Sequence, residues 1–313
     1  MAKVTNAFDT YSAKGNREDL SNIIYNISPT ETPVMSSIGR RNATNVTFDW
    51  QTESLPTVDL NNAKEEGFEL ARSTSTATVR PTNVVQISER DATVTGSQQK
   101  SNAAGKANEM ARQMSIASKA LKRDMESILC QNQAKVAGNA TTARKTRALE
   151  HWLTTNVSRG ATGAAAASET AAMTDGTQRA FSETLLKAAL QQSYTAGAEP
   201  SMILVGPVNK VKLSDFTGRS QARQNVGAET IQQAVSVYAS DFGDIKVVPS
   251  RFNRERTALL LDPEYAKVAF FRNFEQQEMA KIGDADTRVI VAEWGLEVSN
   301  EAAHAAIFDL TTT

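Results

Sequence analysis

Apolar residues recur along this 313-residue chain with two periods, and the places where one gives way to the other divide it into segments. Residues 1–17 are polar apart from Phe8 and Tyr11 and follow neither period, which predicts an extended arm. Leu20, Ile23, Ile24 and Ile27 then fall at i, i+3, i+4 and i+7, the stripe of a short amphipathic helix. Pro29 ends it by driving Ser28 out of the helical region. Thr32-Pro33, with Gly39 beyond, predicts one more helical turn over 34–38. Val46, Phe48 and Trp50 alternate with Thr47, Asp49 and Gln51, a period of two and hence a strand. A polar stretch leads to Phe68, and a β-prone run through Thr76, Thr78, Val79, Val84, Val85 and Ile87, broken by Pro81, returns from it. An isolated two-stranded ribbon is marginally stable in water. This excursion therefore needs a surface outside itself to lie on.

Residues 101–133 carry the strongest helical pattern, with Ala103, Ala107, Met110, Met114, Ala117, Leu121, Met125 and Ile128 at steps of three or four. Ser101 or Asn102 can cap its start and Gly138 follows its end. About 29 helical residues would make a rod of ~43 Å. The Met stripe reads as ordinary core filling on one flat partner. Residues 181–262 read as α/β: a helix from Ser182 to Gly197, a buried strand over Met202–Val205, a helix over 208–216, two strands around 241–244 and another over 257–261. Near the end, Val268, Phe270 and Phe274, then Ile290, Ala292, Trp294, Leu296 and Val298, alternate with polar residues on either side of Gly283-Asp284. This predicts a hairpin with arms of about eleven residues, ~36 Å long. Laying the rod on the hairpin's apolar face gives an elongated slab, with an α/β lobe at one end and the β-excursion projecting from it.

Composition narrows the function classes. The chain is 40% hydrophobic, with 34 Lys plus Arg against 35 Asp plus Glu. It can form a core, it holds no run long enough for a membrane span, and it opens without the apolar stretch of a secretory signal. Its balanced charge removes the electrostatic argument for a dedicated nucleic-acid reader. The single cysteine, Cys130, excludes an internal disulfide and a cysteine-based zinc site, and reads as a small buried hydrophobe. No phosphate loop, nucleophile elbow, zincin helix or Rossmann fingerprint occurs. His151 and His304 lack companions and read as surface or packing residues. Asp284 and Asp286 start like a calcium loop but lack its glycine and closing glutamate, so a β-turn is expected. Arg144, Lys145, Arg147 and Arg159 read as a solvated face and Glu65-Glu66 as a solvated loop. No catalytic, cofactor or metal site is expected. An enzyme using the Ala/Gly-rich 160–167 loop is the weakest reading.

Three blocks carry a resemblance. Gly15 to Gly39, with Asn16-Arg17-Glu18-Asp19-Leu20 and Thr30-Glu31-Thr32-Pro33 inside it, is the first. Trp50-Gln51, Glu53 and Leu55 form the second. Arg80, Asn83, Gln86-Ile87 and Val94-Thr95-Gly96, ahead of the long helix, form the third. Together they resemble one family of tailed-bacteriophage major capsid proteins; Val34 departs from it, standing where a larger apolar residue is expected. The resemblance implies an α+β chain of the Hong Kong 97 type. Its parts would be an N-terminal arm (1–38), an extended β-loop with its base (39–95), a peripheral domain with a spine helix and long strands (96–135 and 263–300), and an axial domain (136–262 and 301–313). It implies a structural protein of the virion that self-assembles through hexamers and pentamers into an icosahedral shell around double-stranded DNA. The partners implied are copies of itself, a separate scaffolding protein because the arm motif begins so near Met1, a portal at one vertex, and in some cases a decoration protein, with no membrane. Contacts between subunits are expected at Phe8, Tyr11, Phe48, Trp50, Leu55, Phe68, Val85 and Ile87. Lys64 lies near the loop tip, but no motif extends to it the lysine crosslink of some relatives. An encapsulin-like compartment is the alternative on the same fold; a tail protein or adhesin fits the long helix poorly.

Overall fold

The computed structural model describes residues 31–53, 56, 58–69, 77–101, 108–216 and 236–313. The amphipathic stretch 20–27 lies outside them. One apolar cluster spans the two larger sheets. The first has the order β1-β10-β11-β4, with β1 (Gly39–Asn42), β4 (Gln86–Thr95), β10 (Ala266–Glu278) and β11 (Ala285–Val298). β1 runs parallel to β10, while β10–β11 and β11–β4 are antiparallel. α3 (Glu109–Leu129) lies on one face of this sheet, across β4 and β11. Met114, Leu121, Met125 and Leu129 pack there in one cluster with Ala292, Trp294 and Leu296. The rod does lie on the hairpin, as the two apolar stripes require.

The rod is shorter than the pattern predicts. α3 has 21 residues, about 32 Å at 1.5 Å per residue. Asn108 caps it, its Oδ1 accepting from the Ala111 N–H at 2.9 Å. Ser101 instead follows the preceding short helix, and Asn102 lies outside the described residues. Gly96–Lys100 forms a separate short helix, α2, capped by Thr95. The other end closes at Cys130, well before Gly138, which sits in its own turn with φ +76°. The hairpin is longer than predicted, with arms of 13 and 14 residues. Residues 278–284 at its tip are exposed.

The second sheet has the order β5-β12-β9-β6-β8-β7: β5 (Val157–Ser158), β6 (Met202–Val205), β7 (Val237–Ser240), β8 (Gly243–Pro249), β9 (Ala258–Leu261) and β12 (Ala305–Ile307). α5 (Glu183–Thr195) and α6 (Pro207–Ser214) complete it. Ser182 caps α5 by accepting from the Leu185 N–H, and Gly197 ends it at φ +86°, as the sequence predicts. β6 and β9 are buried throughout and pair antiparallel. Met202, Leu204, Leu259 and Leu261 belong to the same apolar cluster as α3 and β11, so the two sheets are welded together. The short helices α1 (Pro33–Ser37) and α4 (Leu149–Trp152) pack into that cluster through Val34, Met35, Leu149 and Trp152.

The excursion is a narrow ribbon on a broad base. β2 (Thr47–Asp49) pairs antiparallel with β3 (Thr82–Val84). The residues that follow, expected to belong to the excursion and its base, form the edge strand β4 of the main sheet, with Val94 opposite Asp286 and Gln86 opposite Trp294.

Candidate assembly surface

Phe48 and Val85 anchor the ribbon. They pack with Ala43 and Ala269 against the face of the first sheet opposite α3, and both are buried. Phe48 rests on Gly295, where a Cβ would come within 2.7 Å of the ring. Trp50 is half-buried, its ring 6.0 Å from Phe48 and 5.3 Å from Trp152. Asn83 ties β3 down from within: its Nδ2 donates to the Leu296 carbonyl at 2.6 Å and to Thr146 Oγ1 at 3.1 Å, while its Oδ1 accepts from the Arg147 N–H at 2.9 Å. Buried carboxamides persist where their hydrogen bonds are satisfied. The asparagine of the third sequence block is thus a structural pin.

Farther out the ribbon thins. An Asp49–Arg80 ion pair and the reciprocal N–H···O=C bonds of Thr52 with Val79, 2.8 and 2.9 Å, close it. Residues 58–69 are exposed throughout, Val58 at 85%, Leu60 at 91% and Phe68 at 52%. Ile87, on β4, is also half exposed, at 51%.

The predicted contact residues therefore divide. Phe48 and Val85 are covered by their own chain, because the ribbon's base lies on β10 and β11. Trp50 packs against Phe48 and Trp152 and is only partly buried. Phe68 and Ile87 remain open. Phe8, Tyr11 and Leu55 lie outside the described residues.

A residue that sequence reasoning missed ties α1 to the long helix. Glu126 is fully buried near the end of α3 and accepts the Val34 and Met35 N–H groups at 2.8 and 2.9 Å. These are orphan donors at the start of α1, where a carboxylate is favoured. Burial raises the Glu126 pKa, and the two N–H donors oppose that rise. The only sequence signal was a charge interrupting the stripe between Met125 and Leu129.

Several other buried titratable groups are engaged in packing and hydrogen bonding within the chain. His151 Nδ1 accepts from Arg147 Nε at 2.8 Å, and its other nitrogen meets the Ala171 carbonyl at 2.5 Å. Arg147 lies 3.8 Å over Trp152 and Arg159 4.5 Å over Phe308. These two arginines, expected on a solvated face, are instead held against aromatic rings. Glu150 is buried and accepts from Thr257 Oγ1 at 2.7 Å and Arg254 Nη1 at 2.8 Å; burial raises its pKa and Arg254 opposes the rise. Asp309 accepts from the Gly160 and Gly176 N–H groups at 3.0 and 2.7 Å, pinning the Ala/Gly-rich loop to the body. Asp286 pairs with Lys281 at 2.6 Å beside the hairpin turn. Among the described residues no group of three or more histidines, cysteines and carboxylates is placed to hold a metal, and no helix is long and apolar enough to cross a membrane.

Comparison with known proteins bears on this architecture directly. Residues 3–311 match the family model described as the SU10 major capsid protein. The major capsid protein of Escherichia phage Phieco32 is 25% identical over 338 aligned positions, covering 96% of each chain. Among solved structures, the capsid asymmetric unit of cyanophage A-1(L) contains a chain that superposes with a TM-score of 0.69 at 14% identity, covering 99% of this chain and 100% of that one. A chain from the capsid of cyanophage P-SCSP1u gives 0.63 at 10% identity, covering 95% and 93%. The chain belongs to the SU10 family of phage major capsid proteins and has the Hong Kong 97-type fold.

Proposed function

We propose that copies of this chain close through hexamers and pentamers into an icosahedral shell that encloses double-stranded DNA, assembled in the host cytoplasm with a separate scaffolding protein and a portal at one vertex. Its work is structural, and it needs no catalytic residue. The observation that carries this reading is the exposed loop 58–69, whose Val58, Leu60 and Phe68 have no covering surface on their own chain among the described residues. Each apolar side chain removed from water contributes ~1.5–3 kcal/mol. A few per contact, repeated around a closed lattice, hold a container together.

Phe68 and Ile87 are the contact residues this geometry favours, with Phe8, Tyr11 and Leu55 assigned to neighbours on sequence grounds. Electron microscopy of the purified chain, with and without the candidate scaffolding protein, is expected to show closed shells. Removing residues 56–68 should leave a folded subunit with an unchanged circular dichroism spectrum that forms none. Shells assembling normally without that loop would overturn the role given to it.

A further inference from the structure

α3 covers only part of the sheet face on which it lies. It packs chiefly on β4 and β11, and on that flank Asp124 pairs with Arg90 of β4 at 2.7 Å. The other flank, over β10, is open. There Ala111 and Ser115 are exposed and Ser118 is half-buried, and the three wall one side of a groove of about 400 Å³. Met114 and Ile290, both members of the main apolar cluster, line its floor, and Gln276 of β10 stands on its far side. Phe274, half-buried on the same strand, lies 5.9 Å beneath Lys122 Nζ. Side chains as short as those of Ala111, Ser115 and Ser118 let a second element approach the helix closely.

The same stripe of the helix runs on to α1. Ala111, Ser115, Ser118, Lys122 and Glu126 follow one another at steps of four, three, four and four, so they share a flank. At its end Thr32 supplies no side-chain cap to α1, and the buried Glu126 carboxylate takes the Val34 and Met35 N–H groups instead. β1, which follows α1, pairs with β10, Gly39 opposite Lys267, on that side too. α1 therefore lies at one end of the groove. A few residues earlier in sequence, ahead of the described residues, come Leu20, Ile23, Ile24 and Ile27 at helical spacing.

We propose that residues 20–27 of the same chain occupy this groove as an amphipathic helix running back along α3 from α1, with their four apolar side chains turned to Met114, Ile290 and Phe274. The lengths agree. Ala111 to Ser118 spans seven residue steps, ~10 Å of helix, and so does Leu20 to Ile27. Ser118 to Glu126 is ~12 Å along the helix. The six steps from Ile27 to Pro33 reach up to ~20 Å. A segment tethered so close to its site is present there at high effective concentration, which favours the chain's own copy over a neighbour's. Residues 1–17, with Phe8 and Tyr11, are then the part of the arm left for adjacent subunits. The proposal goes beyond the shell reading and does not depend on it.

The test uses the full-length chain in solution, before any assembly. Its native Cys130 is buried, so the pair Ile24→Cys and Ser115→Cys can be joined selectively by a short bismaleimide and the product mapped by peptide mass spectrometry. A link between positions 24 and 115 is expected. None is expected from Ile24→Cys to Gln113→Cys, which lies on the β4 flank of the helix. Preparing the pair as an equal mixture of natural and nitrogen-15-labelled chains distinguishes the occupants, because linked peptides should be all light or all heavy. Mixed pairs would put a second copy in the groove and overturn the proposal. So would the absence of any link, or equal linking to both helix positions. Should Ile24→Cys not fold, Asn26→Cys with Ser118→Cys gives the same reading from the polar edge of the stretch.

Discussion

Gly295 lies directly beneath the Phe48 ring, and a methyl group there would meet that ring at 2.7 Å and the Val84 carbonyl oxygen at 2.9 Å. Gly295→Ala is expected to lift the ribbon off the sheet and lower subunit stability by about 1–3 kcal/mol, the usual range for overpacking; denaturant titration measures it. His304 is buried, accepts the Asp262 N–H on Nδ1 at 3.2 Å, and has its pKa lowered by burial from 6.5 to about 4. Between those values the unfolded chain binds one more proton than the folded one, so stability falls as pH drops through that window, by about 3 kcal/mol at 1.36 kcal/mol per unit. His304→Gln should flatten that part of the stability-against-pH curve, whatever it does to the plateau. Glu126 and Glu150 pull the other way, since a carboxyl with a raised folded pKa weakens the fold as pH rises through it. Sequence reading placed both histidines among surface or packing residues and could not choose, because burial depends on which strands close over a side chain. It passed over Glu126 for the same reason. A single carboxylate in an apolar stripe has no visible partner until α1 is folded onto α3.

Elements bounded by unambiguous local chemistry were readable. Ser182 and Gly197 mark α5 because serine caps well and a left-handed residue favours glycine, and β6 stands out as four consecutive apolar residues. The start of α3 was not, since serine and asparagine recur between 101 and 108 and a cap residue alone does not show which turn its neighbours bury. The ribbon shows the sharper limit. Phe48, Trp50, Val85 and Ile87 look alike in sequence, yet the register of β2 on β3 and of β4 on β11 buries Phe48 and Val85, half-buries Trp50 and exposes Ile87. Their substitutions should separate accordingly. Phe68→Ala and Ile87→Ala are expected to change subunit melting by no more than ~0.5 kcal/mol while reducing the yield of closed shells seen by microscopy. Trp50→Ala is expected to lower the melting temperature of the subunit itself, because it strips packing from Phe48 and Trp152.

At the scale of the whole molecule, one apolar cluster joins Trp294 of the first sheet to Leu259 of the second, with Cys130 inside it. Peripheral and axial regions divided by chain segment therefore need not melt apart. Burial also raises the Cys130 thiol pKa well above its ordinary value, so the native thiol should be inert. During denaturant titration its labelling by a thiol reagent is expected to coincide with the loss of circular dichroism, as for one cooperative unit. Labelling that clearly precedes that loss would show two. The long helix, the hairpin and the projecting loop were foreseeable as a slab because their periods and lengths are local properties. The insertion of β12 between β5 and β9 was not, because three short apolar residues carry no record of their neighbours. That insertion has a consequence during synthesis. β12 is made after every other described strand, yet it occupies an inner position of its sheet, so a nascent polypeptide keeps β5 and β9 unpaired on that side until residue 307 has emerged from the ribosome. A chain that stops short of β12 is therefore expected to lack a closed second sheet, and with it a finished lobe.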